Sequence, residues 1–185
     1  TVSADAAASI VVAAGTFNDA VGNDNSVSNT YSWTQDDTGP TMTITSGTVA
    51  SGSRTNTAAV VLVYTSNAAT NAFAAAGSAR CVCATASFTT ASSTVYGSTC
   101  TVSADGAASI LVAAGTFNDA TGNDNSVSNT YSWTQDDTGP TMTITSATVA
   151  SGGTTATAAV VLVYTSNAAT SDFAAADLTD AGCTD

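Results

Sequence analysis

Thr30-Tyr31-Ser32-Trp33-Thr34 and Thr41-Met42-Thr43-Ile44-Thr45 alternate polar and apolar residues without a break. That is the period of a strand with one face in a core. The alternation predicts that Tyr31, Trp33, Met42 and Ile44 face one core, and the same is expected of residues 130–134 and 141–145. Ala59 to Tyr64 and Ser109 to Val112 are more continuously apolar, which predicts central strands. Thr94-Val95-Tyr96 and Cys100-Thr101-Val102 supply two further short strands. Clusters of Asn, Asp, Gly and Ser between these runs predict turns. Nearly a third of the chain is Ser or Thr, while Leu and long-chained helix formers are scarce, so the chain reads as all-β.

The pattern is written almost twice. Residues 1–70 and 101–170 differ at only seven positions: Ala6/Gly106, Val11/Leu111, Val21/Thr121, Gly47/Ala147, Ser53/Gly153, Arg54/Thr154 and Asn56/Ala156. Residues 71–85 and 171–185 share little beyond Phe73/Phe173, an Ala run and Cys83/Cys183. A copy this close implies one structural unit used repeatedly.

Gln35-Asp36-Asp37-Thr38-Gly39-Pro40 recurs as residues 135–140 and holds the two prolines of the chain. Proline cannot donate to a strand ladder, so this segment marks the junction between units. The chain then divides into residues 1–37, the C-terminal half of a repeat; 38–137, a complete repeat; and 138–185, the N-terminal half of the next. About seven short strands per repeat suit a two-sheet sandwich, while a solenoid would show a shorter internal period.

The motif Gly-Thr-Phe-Asn-Asp-Ala-x-Gly-Asn-Asp-Asn at 15–25 and 115–125, followed by Tyr-Ser-Trp-Thr-Gln-Asp-Asp-Thr-Gly-Pro at 31–40 and 131–140, resembles the bacterial Ig-like repeats of large surface proteins. The resemblance covers the chain as staggered copies. It departs from that family in lacking Lys and Glu and in carrying cysteines. It implies tandem Ig-like β-sandwich modules of about 100 residues in an extracellular rod, without intrinsic catalysis.

Composition points the same way. The chain has fourteen acidic residues against two Arg, no Lys and no His, for a net charge of −12. Nucleic acid is thereby disfavoured as a partner. No run approaches the roughly eighteen apolar residues that a membrane-spanning helix requires. Without His, Lys or Glu there is no Ser-His pair, Schiff-base lysine or histidine metal centre, so no enzyme is expected. Lys-Asn isopeptide crosslinks are impossible for the same reason.

Four cysteines suggest an oxidising compartment. A bridge from Cys83 to Cys100 would close a loop of 17 residues, worth about 3 kcal/mol on the chain-entropy model. Cys183 repeats Cys83, its expected partner lies beyond the chain, and Cys81 is left over. Cys81 remains open between a free thiol, an alternative partner for Cys100, and a crosslink to another chain.

Asn18 to Asn25 gathers carboxylate and amide oxygens, and Asp36 and Asp37 follow at the junction. Calcium takes six to eight such oxygens. Asp36, Asp37, Asp136 and Asp137, with Asp19 and Asp119, are therefore the candidate calcium ligands. The competing expectation is that Asx side chains simply close turns on their own backbone.

The expected function is a structural module of an extracellular filament, stalk or appendage. Its partners would be copies of itself or the next repeats of a longer chain, with exposed Ser and Thr open to O-linked sugars. The alternative is a cell-surface adhesin that binds glycan or protein through its variable loops. The staggered ends fit a window on a longer polymer, or consecutive chains that complete a module between them; the first is the expectation.

Overall fold

The structure, a computed structural model, describes residues 5–74, 87–102 and 104–180, and the backbone alone of 81–83. Strand accounts for 37% of it, and no α-helix occurs among the described residues. In chain order the strands are β1 (Ala6–Ile10), β2 (Tyr31–Gln35), β3 (Met42–Ser46), β4 (Arg54–Thr55), β5 (Ala59–Ser66), β6 (Cys81–Cys83), β7 (Thr89–Thr90), β8 (Val95–Val102), β9 (Gly106–Ile110), β10 (Tyr131–Gln135), β11 (Met142–Ser146) and β12 (Leu162–Ser166). The chain separates into two compact units, 1–137 and 138–185.

Between Thr38 and Asp137 two sheets enclose one core. The larger runs β3-β5-β8-β6 with β7 on β8, all antiparallel. The smaller runs β4-β10-β9, with β10 antiparallel to β9 and parallel to β4. Met42, Ile44, Val60, Leu62, Tyr64, Tyr96 and Val102 from the first sheet bury against Ala108, Ile110, Tyr131 and Trp133 from the second. Phe73, whose counterpart Phe173 is retained, packs against Tyr64, Phe88, Tyr96 and Phe117 at centroid distances of 5.0–5.7 Å. It anchors the start of the variable segment into the constant core.

Three expectations change. The alternating strands do face a core, but Met42 and Ile44 meet Tyr131 and Trp133, while Tyr31 and Trp33, nearer in sequence, are exposed. The continuously apolar run of β5 is central, yet it alternates: Val60, Leu62 and Tyr64 point inward and Val61 outward. Residues 109–112 do not make a central strand, because β9 stops at Ile110 and lies at the sheet's end in the described order, leaving Leu111 exposed. Apolarity alone did not distinguish a strand covered on two faces from one covered on one.

The two short strands expected at 94–96 and 100–102 are one strand, β8. Gly97 does not interrupt it. A Cβ at Gly97 would stand 2.8 Å from Thr89 Oγ1, so the glycine admits the close approach of β7 rather than marking a turn.

The same sequences adopt the same ladders in the half-repeats. Within unit 1–137, β1 pairs with β2 in the register Ile10↔Tyr31, Ala6↔Gln35, matching Ile110↔Tyr131, Gly106↔Gln135 in β9 and β10. Unit 138–185 pairs β11 with β12 as Met142↔Ser166, matching Met42↔Ser66. The apolar faces of both half-repeats are exposed.

Candidate intermodule junction

The loop that carries the Asx-rich motif is built by two side chains. Asn125, buried, accepts the Thr116 and Phe117 N–H groups on Oδ1 at 2.8 and 3.0 Å, and donates through Nδ2 to Ala113 O and Ser126 O at 2.9 and 2.7 Å. Asp119, also buried, accepts the Thr121 and Asn123 N–H groups and the Thr121 hydroxyl on Oδ1, and Asn123 Nδ2 on Oδ2. The Thr121 hydroxyl is the first of the donors that hold the Asp119 carboxyl down at about 2. Gly122, at φ +94°, closes the turn in a region that side-chained residues avoid.

Residues 13–25 repeat this loop. Asn25 makes the same four bonds, and Asp19 accepts Val21 N, Asn23 N and Asn23 Nδ2. The Asp19 carboxyl is also lowered, first by the Asn23 backbone N–H. Both motifs therefore use their oxygens to close turns.

The loop then grips the junction segment. Asp36 O accepts Asn123 Nδ2 at 3.1 Å, and Asp36 Oδ2 accepts the Thr121 hydroxyl at 3.3 Å. Ser126 N donates to Pro40 O at 3.0 Å. Gly39 lies so close that a Cβ would collide with the Asp124 carbonyl oxygen. On the other side, Asp37 N donates to Asp5 Oδ1 at 2.7 Å. That bond lowers the Asp5 carboxyl, while the Asp37 carboxyl, beside Asp5, is raised by their shared hydrogen bond and like charge. The junction between Gln35 and Pro40 is thus bonded both to the half-repeat on its N-terminal side and to the complete module on its C-terminal side.

Of the six candidate calcium ligands, the structure brings Asp36 and Asp119 to one place, both touching the Thr121 hydroxyl. Asp37 turns instead to Asp5. Asp136 accepts Arg54 Nε at 3.0 Å on the surface, and Asp137 accepts Gln135 Nε2 at 2.8 Å and donates its N–H to Asp105. Asp19 closes its own turn. No cluster of three metal-ligating side chains occurs among the described residues.

Cys100 is buried and disulfide-bonded. The Cys83 backbone stands opposite Cys100 in the β6–β8 ladder. The side chains of Cys81 and Cys83, and all of Cys183, lie outside the described residues.

Sequence reasoning missed Asn129. Its Oδ1 accepts Ile44 N at 2.7 Å and its Nδ2 donates to Ile44 O at 3.0 Å. One side-chain amide so acts as a strand partner across the two halves of the sandwich. Tyr131 adds a second clasp, its hydroxyl donating to Val49 O. Nothing in a single sequence distinguishes such an Asn from its neighbours in a turn-rich stretch. No family model, curated protein or solved structure matches this chain.

Proposed function

We propose that this chain is a structural module of an extracellular filament, stalk or appendage, built from tandem Ig-like repeats of about 100 residues. The observation that carries the reading is the repetition of structure at constant spacing. The ladders of β1–β2 and β9–β10 share one register, as do those of β3–β5 and β11–β12. A lattice gains from identical copies, whereas a recognition surface gains from diversified ones.

Two further features support it. The junction is fixed by hydrogen bonds to both sides, as a load-transmitting joint requires. A buried disulfide at Cys100 suits an oxidising, extracellular setting. Among the described residues no helix is long and apolar enough to cross a membrane.

Electron microscopy of the native material tests the reading. Regular filaments with an axial repeat of about 3 nm, roughly an eight-residue strand plus its loops, are expected. Dispersed particles that bind glycan or protein on a cell surface would replace it with the adhesin reading.

A further inference from the structure

We propose that copies of this chain associate side by side through the outer face of the β3-β5-β8 sheet, meeting as identical neutral surfaces. The proposal rests on the filament reading and adds the contact by which filaments would bundle.

Charge is divided unevenly over the complete module. Residues 38–102, which supply β3 to β8, contain no acidic residue. The acids of the module are Asp105, Asp119, Asp124, Asp136 and Asp137, all in the segment that carries β9 and β10, and none lies in a strand. The larger sheet therefore presents a neutral surface on a chain of net charge −12.

The ladder decides which residues form that surface. Val60, Leu62 and Tyr64 point into the core, so Val61, Val63 and Thr65 point out; Val61 is 43% exposed between neighbours at 0%. The register sets Thr43 beside Thr65, Thr45 beside Val63, and Thr99 beside Val61. All six are Thr or Val, without charge or aromatic ring. Gly97 stands opposite Val63 with Thr89 leaning over it, so no bulky side chain rises from the middle of the sheet.

Such a face offers a charged partner no counter-charge and a sugar no aromatic ring to stack on. A second copy does fit it. Two chains of charge −12 repel wherever their carboxylates approach, and the neutral face is where that cost is least. The spacing agrees as well, because Thr43, Thr45, Val61, Val63 and Thr65 recur unchanged at 143, 145, 161, 163 and 165. Whatever separates successive modules, it is the same in both copies, so each face that meets brings the next into reach.

Size sets the strength. Strands of five, eight and eight residues, about 3.4 Å per residue and about 4.8 Å apart, give roughly 350 Å² of flat face. A pair would bury about 700 Å², below the roughly 1,200–2,000 Å² of stable complexes. One module thus pairs weakly, with a dissociation constant on the order of 0.1–1 mM, and a row of modules holds where one does not.

Sedimentation equilibrium of the purified 185-residue chain, taken to about 1 mM at low and high salt, tests this. Self-association is expected, and it should tighten as salt screens the carboxylates. Val61→Asp sets like charges against each other across the contact and should weaken association at least about tenfold. Thr45→Asp repeats the test on β3, at the end of the sheet, where the ladder tolerates change better. Ser109→Asp adds the same charge on the outward side of β9 and should cost less than about twofold. All three variants should keep the wild-type circular dichroism when dilute.

A chain that stays monomeric at every salt concentration, a charge at position 61 or 45 that leaves association unchanged, or a Ser109→Asp chain weakened as much would each overturn the proposal. Native filaments that run singly alongside such results would leave the filament reading standing. Association that depends on Val61, in native material that forms no filaments, would keep the contact and remove the filament reading.

Discussion

The Asn125 side chain holds four backbone groups of the loop that grips the junction, and Asn25 holds the same four in a half-repeat. This gives one substitution two environments in one molecule. Asn125 is 2% exposed, so Asn125→Ala leaves the Thr116 and Phe117 N–H groups and two carbonyls facing a cavity. An orphaned buried donor costs about 1–3 kcal/mol. The buried Phe117 donor and the part-buried Thr116 donor, with water partly reaching the carbonyls, put the loss at about 3 kcal/mol, out of a typical domain stability of about 5–15. Asn25 is only half-buried, and its loop bonds are exposed. Water replaces most of what Asn25→Ala removes there, for a loss under about 1 kcal/mol. Urea unfolding of the dilute chain, followed by Trp133 fluorescence in a Trp33→Phe background, reads the complete module. With a slope of about 1.5 kcal/mol per molar urea, Asn125→Ala should move the midpoint down by about 2 M and Asn25→Ala by almost nothing. Equal shifts from the two would refute the argument that burial, not the hydrogen-bond count, sets the cost.

Gly39→Ala should destabilise by about 1–3 kcal/mol, since the Asp124 carbonyl is backbone and cannot swing aside, and Gly139→Ala in the dilute chain should be near neutral; thermal melts compare them. Asp119, lowered to about 2 by its four donors, contributes stability that is fully present above about pH 4 and is lost as the pH falls through about 2. Midpoints measured from about pH 5 down to 2 should fall more steeply in wild type than in Asp119→Asn. Reduction of the Cys100 disulfide, or Cys100→Ser, should cost about 2–4 kcal/mol in urea unfolding. A calcium chelator should leave the melting temperature unchanged, because the Asp119 oxygens already hold four donors; a clear drop would show a bound ion that adds to these bonds.

Much of the fold was legible in the chain because strands write themselves with period two. The alternation at 41–45 and 130–134 put Met42, Ile44, Tyr131 and Trp133 in the core, as expected, whereas their copies Met142, Ile144, Tyr31 and Trp33 are exposed. What alternation cannot say is which faces meet. Tyr31 and Tyr131 have identical neighbours in sequence, yet one is exposed and the other is buried. Likewise Ala59–Ser66 is a strand of eight residues beside β8, while the same sequence at 159–166 is ladder only from Leu162, where β11 pairs with it. The partner strand, not local propensity, decided those residues. Among the acidic residues, the turn chemistry of Asp19 and Asp119 was readable. The convergence of Asp36 on Thr121 was not, because it joins positions 85 apart.

The phase of the fold against the phase of the sequence repeat explains why the joint sits where it does. The constant block, residues 1–70, straddles the junction at 36–40, so the half-repeat before the joint and the half-repeat after it are copied together. Every contact that fixes the segment is then made by residues within the two constant blocks: Asp5 to Asp37 N on one side, and Thr121, Asn123 and Ser126 to Asp36 and Pro40 on the other. The stretch that varies, after residue 70, instead enters the fold through Phe73 and leads to β6, β7 and β8. A repeat copied in this phase keeps the joint's contacts except that of Thr121, which is Val21 in the other copy, while its free edge changes. Bending at 36–40 must break bonds to both neighbours at once, and a segment of five residues fixed by these four bonds has little length left over which to flex.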